Sequence, residues 1–251
     1  MDTLFTPWKM GTLEIPNRLV RSATWEGLAQ DDGAVTDALA EVTADLARGG
    51  VGLIITGYAF VLPEGRGLPK QTGVHSDALV DSLERMTDAV HAANGLVALQ
   101  IVHAGAQTRS EWIGRTPLGP SAMSHPSFGE PAEELTRDQI ADIVTAFAFA
   151  ARRARAARFD AVQLHAAHGY LINQFLSPLT NRRDDEYGGS FEGRARLCFE
   201  IYDAVRAEVG PDFPVFIKLN SEDCVEGGFE LADAVEVARK LSERGIDAIE
   251  V

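Results

Sequence analysis

Apolar runs alternate with segments of helical period along the whole chain. The candidate strands are short and rich in Val, Ile and Leu, and they cover residues 19–24, 52–60, 96–103, 161–167, 215–220 and 247–251. Between them, apolar residues recur every three or four positions at residues 36–50, 79–95, 136–158, 190–210 and 231–245. Short buried strands that alternate with helices predict βαβ units and a parallel sheet.

The order of these units favours one fold class. No G-x-G-x-x-G motif follows the first strand, so a (β/α) barrel is favoured over a dinucleotide-binding sheet. We therefore expect an α/β fold, a TIM-type (β/α)8 barrel, with only about six βα units present in this chain. Residues 1–251 are expected to form a single domain that is apparently truncated after the sixth strand, since two more units would need about 60 further residues.

Two segments lie outside this alternation. Residues 4–18 read as a short hairpin that could plug the barrel floor. Residues 104–135 form a connection too long for a simple loop, and such segments usually act as lids or binding loops. Thr136 and Asp138 are expected to cap the helix that follows this loop and to fill its first turn.

Composition and charge narrow the function classes. The 251 residues are 45% apolar and 24% charged, which is typical of a globular protein. A net charge of −14 argues against a nucleic-acid partner. The two cysteines are not in a C-x-x-C pair, so no zinc or iron–sulfur site is expected in these residues. No leader pattern or long apolar window is present, so we expect a cytoplasmic protein without a membrane partner.

Polar residues gather where the predicted strands end, which is where barrels of this kind carry their chemistry. Two histidines and a tyrosine fall in the stretch HAAHGY at the fourth strand. A strand alternates faces, so His168 and Tyr170 would share one face and His165 the other, unless Gly169 lets the chain turn. The full set is Ser22, Ala23, Thr24, Trp25, Tyr58, Gln100, His165, His168, Tyr170 and Lys218.

Three interpretations of this set compete. A lone histidine is most often structural, and H-x-x-H without nearby Cys or Glu is weak evidence for a metal, so we predict no metal site. Gln100 and Lys218 lie within apolar strands, and buried amides and ammonium groups are costly unless paired. Two neutral imidazoles can hold charge on one carbonyl oxygen, and a nearby phenol can act as a general acid. Taken together, the residues indicate a polar ligand in the barrel mouth.

The sequence resembles the old yellow enzyme family of FMN-dependent NADH:flavin oxidoreductases, also called ene-reductases. The resemblance runs from Leu4 to Val251 and rests on three segments. They are LFTPWKMG with NRLVRSAT near the start, LQIVHAG in the third unit, and above all HAAHGYLINQFLSPLTNRRDDEYGGSFEGRAR at residues 165–196.

The resemblance implies an enzyme, with FMN as its cofactor and NADH or NADPH as its hydride donor. Hydride would pass through flavin N5 to a small-molecule substrate, an activated alkene such as an α,β-unsaturated carbonyl. His165 and His168 match the pair that binds the substrate oxygen, and Tyr170 matches the proton donor. The implied cofactor-binding residues are Ser22, Ala23, Thr24, Trp25, Tyr58, Gln100 and Lys218.

Some positions depart from the family pattern. Lys218 stands where arginine is more common, and it would act on the flavin as a point charge without a planar fork. Trp25 replaces a small residue and could narrow the pocket, or could simply pack. Tyr58 also departs from the usual pair on the second strand.

The resemblance leaves alternatives open. The FMN phosphate site would lie in later units, so residues 1–251 alone are expected to bind FMN weakly or not at all. A longer relative with an iron–sulfur cluster, of the dienoyl-CoA reductase or amine dehydrogenase type, is a second possibility. A non-catalytic fragment that pairs with another chain is a third, and a homo-oligomer is possible in any of these cases.

Overall fold

The structure is a computed structural model that describes residues 2–124 and 129–251. Its first elements are a 3₁₀ turn at Asp2–Phe5 and an antiparallel hairpin of strands β1 (Trp8–Met10) and β2 (Leu13–Ile15). The hairpin predicted within residues 4–18 is therefore confirmed. The remaining strands are β3 (Val20–Arg21), β4 (Leu53–Ile55), β5 (Ala59–Phe60), β6 (Val97–Val102), β7 (Leu118–Gly119), β8 (Glu133–Glu134), β9 (Ala161–Ala166), β10 (Val215–Leu219) and β11 (Ala248–Glu250).

The helices follow the strands in the predicted alternation. They are α1 (Asp37–Arg48), α2 (Val80–Ala92), α3 (Ser110–Ile113), α4 (Arg137–Ala156), α5 (Leu171–Leu176), α6 (Phe191–Val209) and α7 (Leu231–Glu243). The cap predicted for α4 is present as a capping box, in which Thr136 and Gln139 exchange side-chain and backbone hydrogen bonds. Among the described residues, no helix has the length and apolar character that a membrane crossing requires.

One parallel sheet organises the fold. Its strands lie in the order β11-β10-β9-β6-β4-β3, and β5 pairs with β6 beside β4. The central strands β6 and β9 are buried at every position, because helices cover one face and the barrel interior the other. The second predicted strand is split into β4 and β5, and the backbone N–H of Gln100 donates to Thr56 Oγ1 at this break.

The hairpin covers the amino-terminal end of this sheet. Ile15 is buried in a small apolar cluster with residues from the lower ends of the strands, including Leu53 and Phe216. At the hairpin turn, a β-carbon on Gly11 would overlap the Asp247 side chain, so the turn lies directly against the start of β11. Arg206 Nη2 donates to Asp247 Oδ2 at 2.6 Å and fixes that carboxylate. The hairpin therefore covers the amino-terminal ends of the strands and leaves their carboxyl ends uncovered.

The long connection between β6 and α4 carries α3, β7 and β8, and β7 pairs with β8 in parallel. Residues 125–128 of the predicted lid lie outside the described residues. Buried Gln174 on α5 joins the start of this connection to the HAAHGY segment, since its amide hydrogen-bonds Ala106, Ala104 and Gly169. The loop after β6 and the segment after β9 therefore form one wall.

Candidate active site at the carboxyl ends of the strands

A cavity of about 170 Å³ opens at the carboxyl ends of the parallel strands. It is lined by eight of the residues that the sequence singled out: Ala23, Trp25, Tyr58, Gln100, His165, His168, Tyr170 and Lys218. The other two candidates lie beside it. Ser22 contacts the Lys218 ammonium group, whereas the hydroxyl of exposed Thr24 donates to the backbone carbonyl of Ser22. The structure therefore brings nearly the whole predicted set together.

The HAAHGY segment turns sharply after β9. His168 and Gly169 both take left-handed backbone conformations, with φ of 60° and 77°. This turn places Tyr170 at the cap position of α5, so the simple alternation of faces does not apply beyond Ala166. Two backbone N–H groups are held in the turn, since His168 N donates to Asn220 Oδ1 at 3.1 Å and Gly169 N to Asn173 Oδ1 at 2.7 Å.

The turn brings the three candidate rings of this segment to one cavity. The ring centroids of His165 and His168 are 5.0 Å apart, and those of His165 and Tyr170 are 4.9 Å apart. The planes of both pairs cross at steep angles, 84° and 72°. The sequence analysis expected a turn at Gly169 that would bring the three side chains together. The left-handed conformations of His168 and Gly169 form this turn, and all three side chains line the same cavity.

The protonation states of these rings follow from burial. Burial lowers the pKa of His165 well below its usual value, and it also lowers the pKa of His168, with the Lys218 charge acting in the same direction. Both imidazoles are therefore neutral near pH 7. His165 Nδ1 accepts a hydrogen bond from Ala167 N at 3.3 Å, so its proton is on Nε2. Burial raises the pKa of Tyr170, which keeps its phenol protonated.

Tyr58 adds a second phenol to the cavity. Its ring lies 5.2 Å from the Tyr170 ring and 6.2 Å from the His165 ring, measured between centroids. The Tyr58 hydroxyl is buried and interacts electrostatically with the Tyr170 phenol, but no described residue meets it with the geometry of a full hydrogen bond. A buried hydroxyl without a full hydrogen bond is costly, so this atom is suited to contact a bound molecule.

An ion pair forms the side of the cavity nearest the ends of β10 and β11. Lys218 Nζ lies 2.8 Å from Glu250 Oε1, and it also donates to Ser22 Oγ at 2.8 Å. The Ser22 hydroxyl in turn donates to Glu250 Oε1 at 2.6 Å. The three residues come from β10, β11 and the segment after β3, so this closed triangle joins the two edges of the described sheet.

Two buried amides extend this triangle across the sheet. Gln163 Nε2 donates to Glu250 Oε2 at 2.8 Å, and Gln100 Nε2 donates to Gln163 Oε1 at 2.7 Å. The strand register sets these contacts, because Gln100 lies opposite Gln163, and Lys218 lies opposite both His165 and Glu250. Burial alone would raise the pKa of Glu250, but hydrogen bonds from Lys218, Ser22 and Gln163 bring it below its usual value.

Glu250 and Gln163 were missed by the sequence interpretation. Both are polar residues inside apolar strands, which is the same signal that identified Gln100 and Lys218. Gln163 is two positions before His165 and therefore shares its face of β9. Glu250 was counted only as part of the last predicted strand, and its pairing with Lys218 depends on a register that one sequence does not reveal.

A larger cavity of about 470 Å³ adjoins the first and shares His168 with it. Its walls include Gln107, Met123 and Arg182 from the long loop and the segment after α5. Buried Ser177 also lines it, and its hydroxyl has no hydrogen-bond partner among the described residues. The two cavities together could accommodate a molecule considerably longer than a single ring.

Known proteins match this chain along almost its whole length. The model of the NADH:flavin oxidoreductase / NADH oxidase family matches residues 3–251. A curated protein named NADH oxidase, from Thermoanaerobacter brockii, is 39% identical over 250 residues. That match covers 99% of this chain but 38% of the relative, so the chain spans less than two fifths of the relative's length.

Two solved structures show the same fold. One is a complex of 2-naphthoyl-CoA reductase with 2-naphthoyl-CoA, which is 32% identical with a TM-score of 0.95 and covers 99% of this chain and 40% of that one. The other is an old yellow enzyme homologue from Zymomonas mobilis, which is 34% identical with a TM-score of 0.89 and covers 98% of this chain and 72% of that one. These matches confirm the predicted TIM-type barrel.

Proposed function

Because the chain belongs to the NADH:flavin oxidoreductase / NADH oxidase family, we propose that its full-length protein is an FMN-dependent oxidoreductase of the ene-reductase type. The resemblance to the old yellow enzymes is confirmed by the family match and by the structural match to one of their homologues. The proposed hydride donor is NADH or NADPH, and the proposed substrate is an activated alkene such as an α,β-unsaturated carbonyl. The proposed location stays the cytoplasm.

The chemistry of the cavity fits a flavin. One side offers a cation on Lys218, and Gln100 lines the same side with an amide whose oxygen has no partner among the described residues. A flavin pyrimidine edge carries both hydrogen-bond acceptors and one N–H donor, so it matches that pair of groups. We propose that Gln100 and Lys218 hold this edge, with Ser22, Ala23 and Thr24 passing beside the ring and Trp25 and Tyr58 bounding it.

When bound, FMN supplies the two-electron chemistry, and the protein supplies binding, orientation and proton transfer. His165 and His168 would bind the carbonyl oxygen of the substrate through N–H groups. Because both imidazoles are neutral, they polarise the carbonyl and hold the charge that develops there without giving up a proton. Burial strengthens these bonds, since little water competes for the oxygen.

Tyr170 would supply the proton to the α-carbon. Its phenol is kept protonated by burial, and its ring packs against His165, which also contacts the substrate oxygen. A proton donor beside the carbonyl anchor can reach the adjacent carbon of the same molecule. Trp25 lines the same cavity and would restrict its width, which favours flat substrates.

The observation that carries the proposal is the convergence of two neutral imidazoles and one protonated phenol on a single cavity. The test is Tyr170→Phe in the full-length, FMN-loaded protein, with the two half-reactions measured separately by stopped-flow absorbance. Flavin reduction by NADH or NADPH should persist, whereas alkene reduction should fall about 10²- to 10⁴-fold.

Tyr187→Phe is the matched control, because it also removes one phenol hydroxyl but lies outside the cavity and bonds Glu200. Unchanged alkene turnover in Tyr170→Phe would remove the proposed acid. A full-length protein that binds no FMN would remove the proposed function itself.

A second candidate substrate is an unsaturated or aromatic acyl thioester. It is favoured by the structural match with 2-naphthoyl-CoA reductase and by the adjoining 470 Å³ cavity, which gives space beyond His168. A thioester carbonyl would use the same His165 and His168 anchor. The comparison of kcat/KM for an enoyl-CoA with that for a simple cyclic enone separates the two candidates, since only the thioester gains from the second cavity.

A further inference from the structure

We propose that Glu250 is a positioning residue that sets both the hydrogen-bond polarity and the net charge of the cavity wall formed by Gln100, Gln163 and Lys218. This inference rests on the proposed function, because the hydrogen-bond polarity and the charge of this wall would act on a bound flavin. Glu250 does not line the cavity, and it acts through its neighbours.

The first step concerns the direction of the amides. An ionised carboxylate has only acceptor sites, so Gln163 must present its Nε2 to Glu250 Oε2. The oxygen of Gln163 then faces Gln100, and Gln100 can meet it only with Nε2, as observed at 2.7 Å. The Gln100 oxygen remains as an acceptor for a ligand. One charge at Glu250 therefore decides that Gln100 offers an acceptor to the N–H of a flavin edge.

The second step concerns charge. Lys218 and Glu250 have side chains that are only 12% and 25% exposed, and their charges cancel at 2.8 Å. A flavin beside Lys218 therefore experiences a wall whose net charge is near zero. Without the Glu250 carboxylate, the Lys218 cation would be uncompensated and would stabilise the negative charge of the reduced flavin. Glu250 thus limits how strongly the site favours reduced over oxidised FMN.

A purely structural role predicts something different. The triangle of Ser22, Lys218 and Glu250 also joins the two edges of the described sheet, so its loss could change stability alone. Another ion pair provides the comparison, because Glu26 bonds Arg21 at 2.7 Å with side chains 16% and 20% exposed. Arg21 and Glu26 do not line the 170 Å³ cavity.

The test compares Glu250→Gln with Glu26→Gln in the full-length protein. Dissociation constants for FMN are measured in the oxidised and reduced states, together with the two-electron midpoint potential against reference dyes. In Glu250→Gln, reduced FMN should gain at least tenfold in affinity relative to oxidised FMN, which raises the potential by about 30 mV. Glu26→Gln makes the same change of charge and should leave the potential unchanged.

Lys218→Met provides the reverse change and does not depend on the folding of Glu250→Gln. It leaves the carboxylate uncompensated, so the ratio of reduced to oxidised affinity should fall at least tenfold. The double variant Lys218→Met/Glu250→Gln restores a neutral wall and should return close to the wild-type potential. A purely structural role does not predict this restoration.

The outcomes separate the two proposals. If wild-type protein binds no FMN, the proposed function fails and this inference fails with it. If FMN binds but Glu250→Gln shifts the potential no more than Glu26→Gln, only the role of Glu250 is overturned. An unchanged potential in Lys218→Met overturns it equally.

Discussion

Gln174 offers the most direct test of how the site is built. This side chain is 1% exposed and lies on α5, behind the HAAHGY turn. Its oxygen accepts from Ala106 N at 3.0 Å, and its Nε2 donates to the carbonyls of Ala104 and Gly169 at 3.0 and 2.6 Å. Gln174→Leu keeps a similar size but removes all three bonds, so it separates hydrogen bonding from packing.

The loss of stability in Gln174→Leu follows from the backbone groups that lose their hydrogen-bond partner. The Ala104 carbonyl still accepts from Gln107 N, so it keeps a partner. Ala106 N–H and the Gly169 carbonyl have no other described partner, and each unsatisfied buried group costs about 1–3 kcal/mol. We therefore expect the free energy of unfolding to fall by roughly 4 kcal/mol. With a urea slope of about 3 kcal/mol/M, the unfolding midpoint should fall by about 1 M.

Urea unfolding followed by circular dichroism measures this midpoint. Gln30→Leu is the matched control, because Gln30 is exposed and its side chain forms no hydrogen bond among the described residues. Its midpoint should change by less than about 0.2 M, in line with ordinary surface substitutions. If Gln174→Leu unfolds at the same urea concentration as wild type, the amide does not join the two loops as the structure indicates, and the reasoning is refuted.

Two further predictions concern the Arg183–Asp185 pair beneath the long loop. Arg183→Lys should lower stability by about 2–3 kcal/mol in the same assay, because lysine cannot reproduce the paired bonds to Asp185 and the bonds to the carbonyls of Pro120 and Leu135. A hydrogen bond from Arg183 lowers the pKa of Asp185 below its usual 3.8, so its contribution is present above pH 3.8 and is lost as the pH falls through the folded-state pKa. Wild type should therefore exceed Asp185→Asn in stability at pH 6, and the gap should narrow below pH 4; a constant gap would contradict this sign.

Much of the fold was predictable because its signals are local. The strand β9 and the helix α4 have strong periodic patterns and clear ends, and both occur within about two residues of their predicted bounds. The short helix α5 was missed, because its six residues span less than two helical turns and its two polar residues, Asn173 and Gln174, are adjacent and do not mark a helical period. The split of the second strand into β4 and β5 was also missed, and a Gln100 N–H to Thr56 Oγ1 hydrogen bond lies at the break.

The residues of the candidate site also divide into those with a local signal and those that depend on distant contacts. His165, His168 and Tyr170 could be selected from one contiguous segment, and the structure brings them together. The left-handed conformation of His168 could not be foreseen, because it is uncommon for a residue with a β-carbon and is held by distant Asn220. The pairing of Lys218 with Glu250 was equally hidden, because it joins residues 32 positions apart through strand register.

The contact between the hairpin turn and Asp247 has a consequence for folding during synthesis. Gly11 is synthesised before its contacts, because Arg206 and Asp247 follow it by more than 190 residues. At a synthesis rate of about 5–20 residues per second, at least about ten seconds pass between the synthesis of the hairpin and that of Asp247. Contacts of such long sequence separation form slowly, so the floor should close late in folding. During that interval, exposed apolar residues of the hairpin are natural targets for a chaperone.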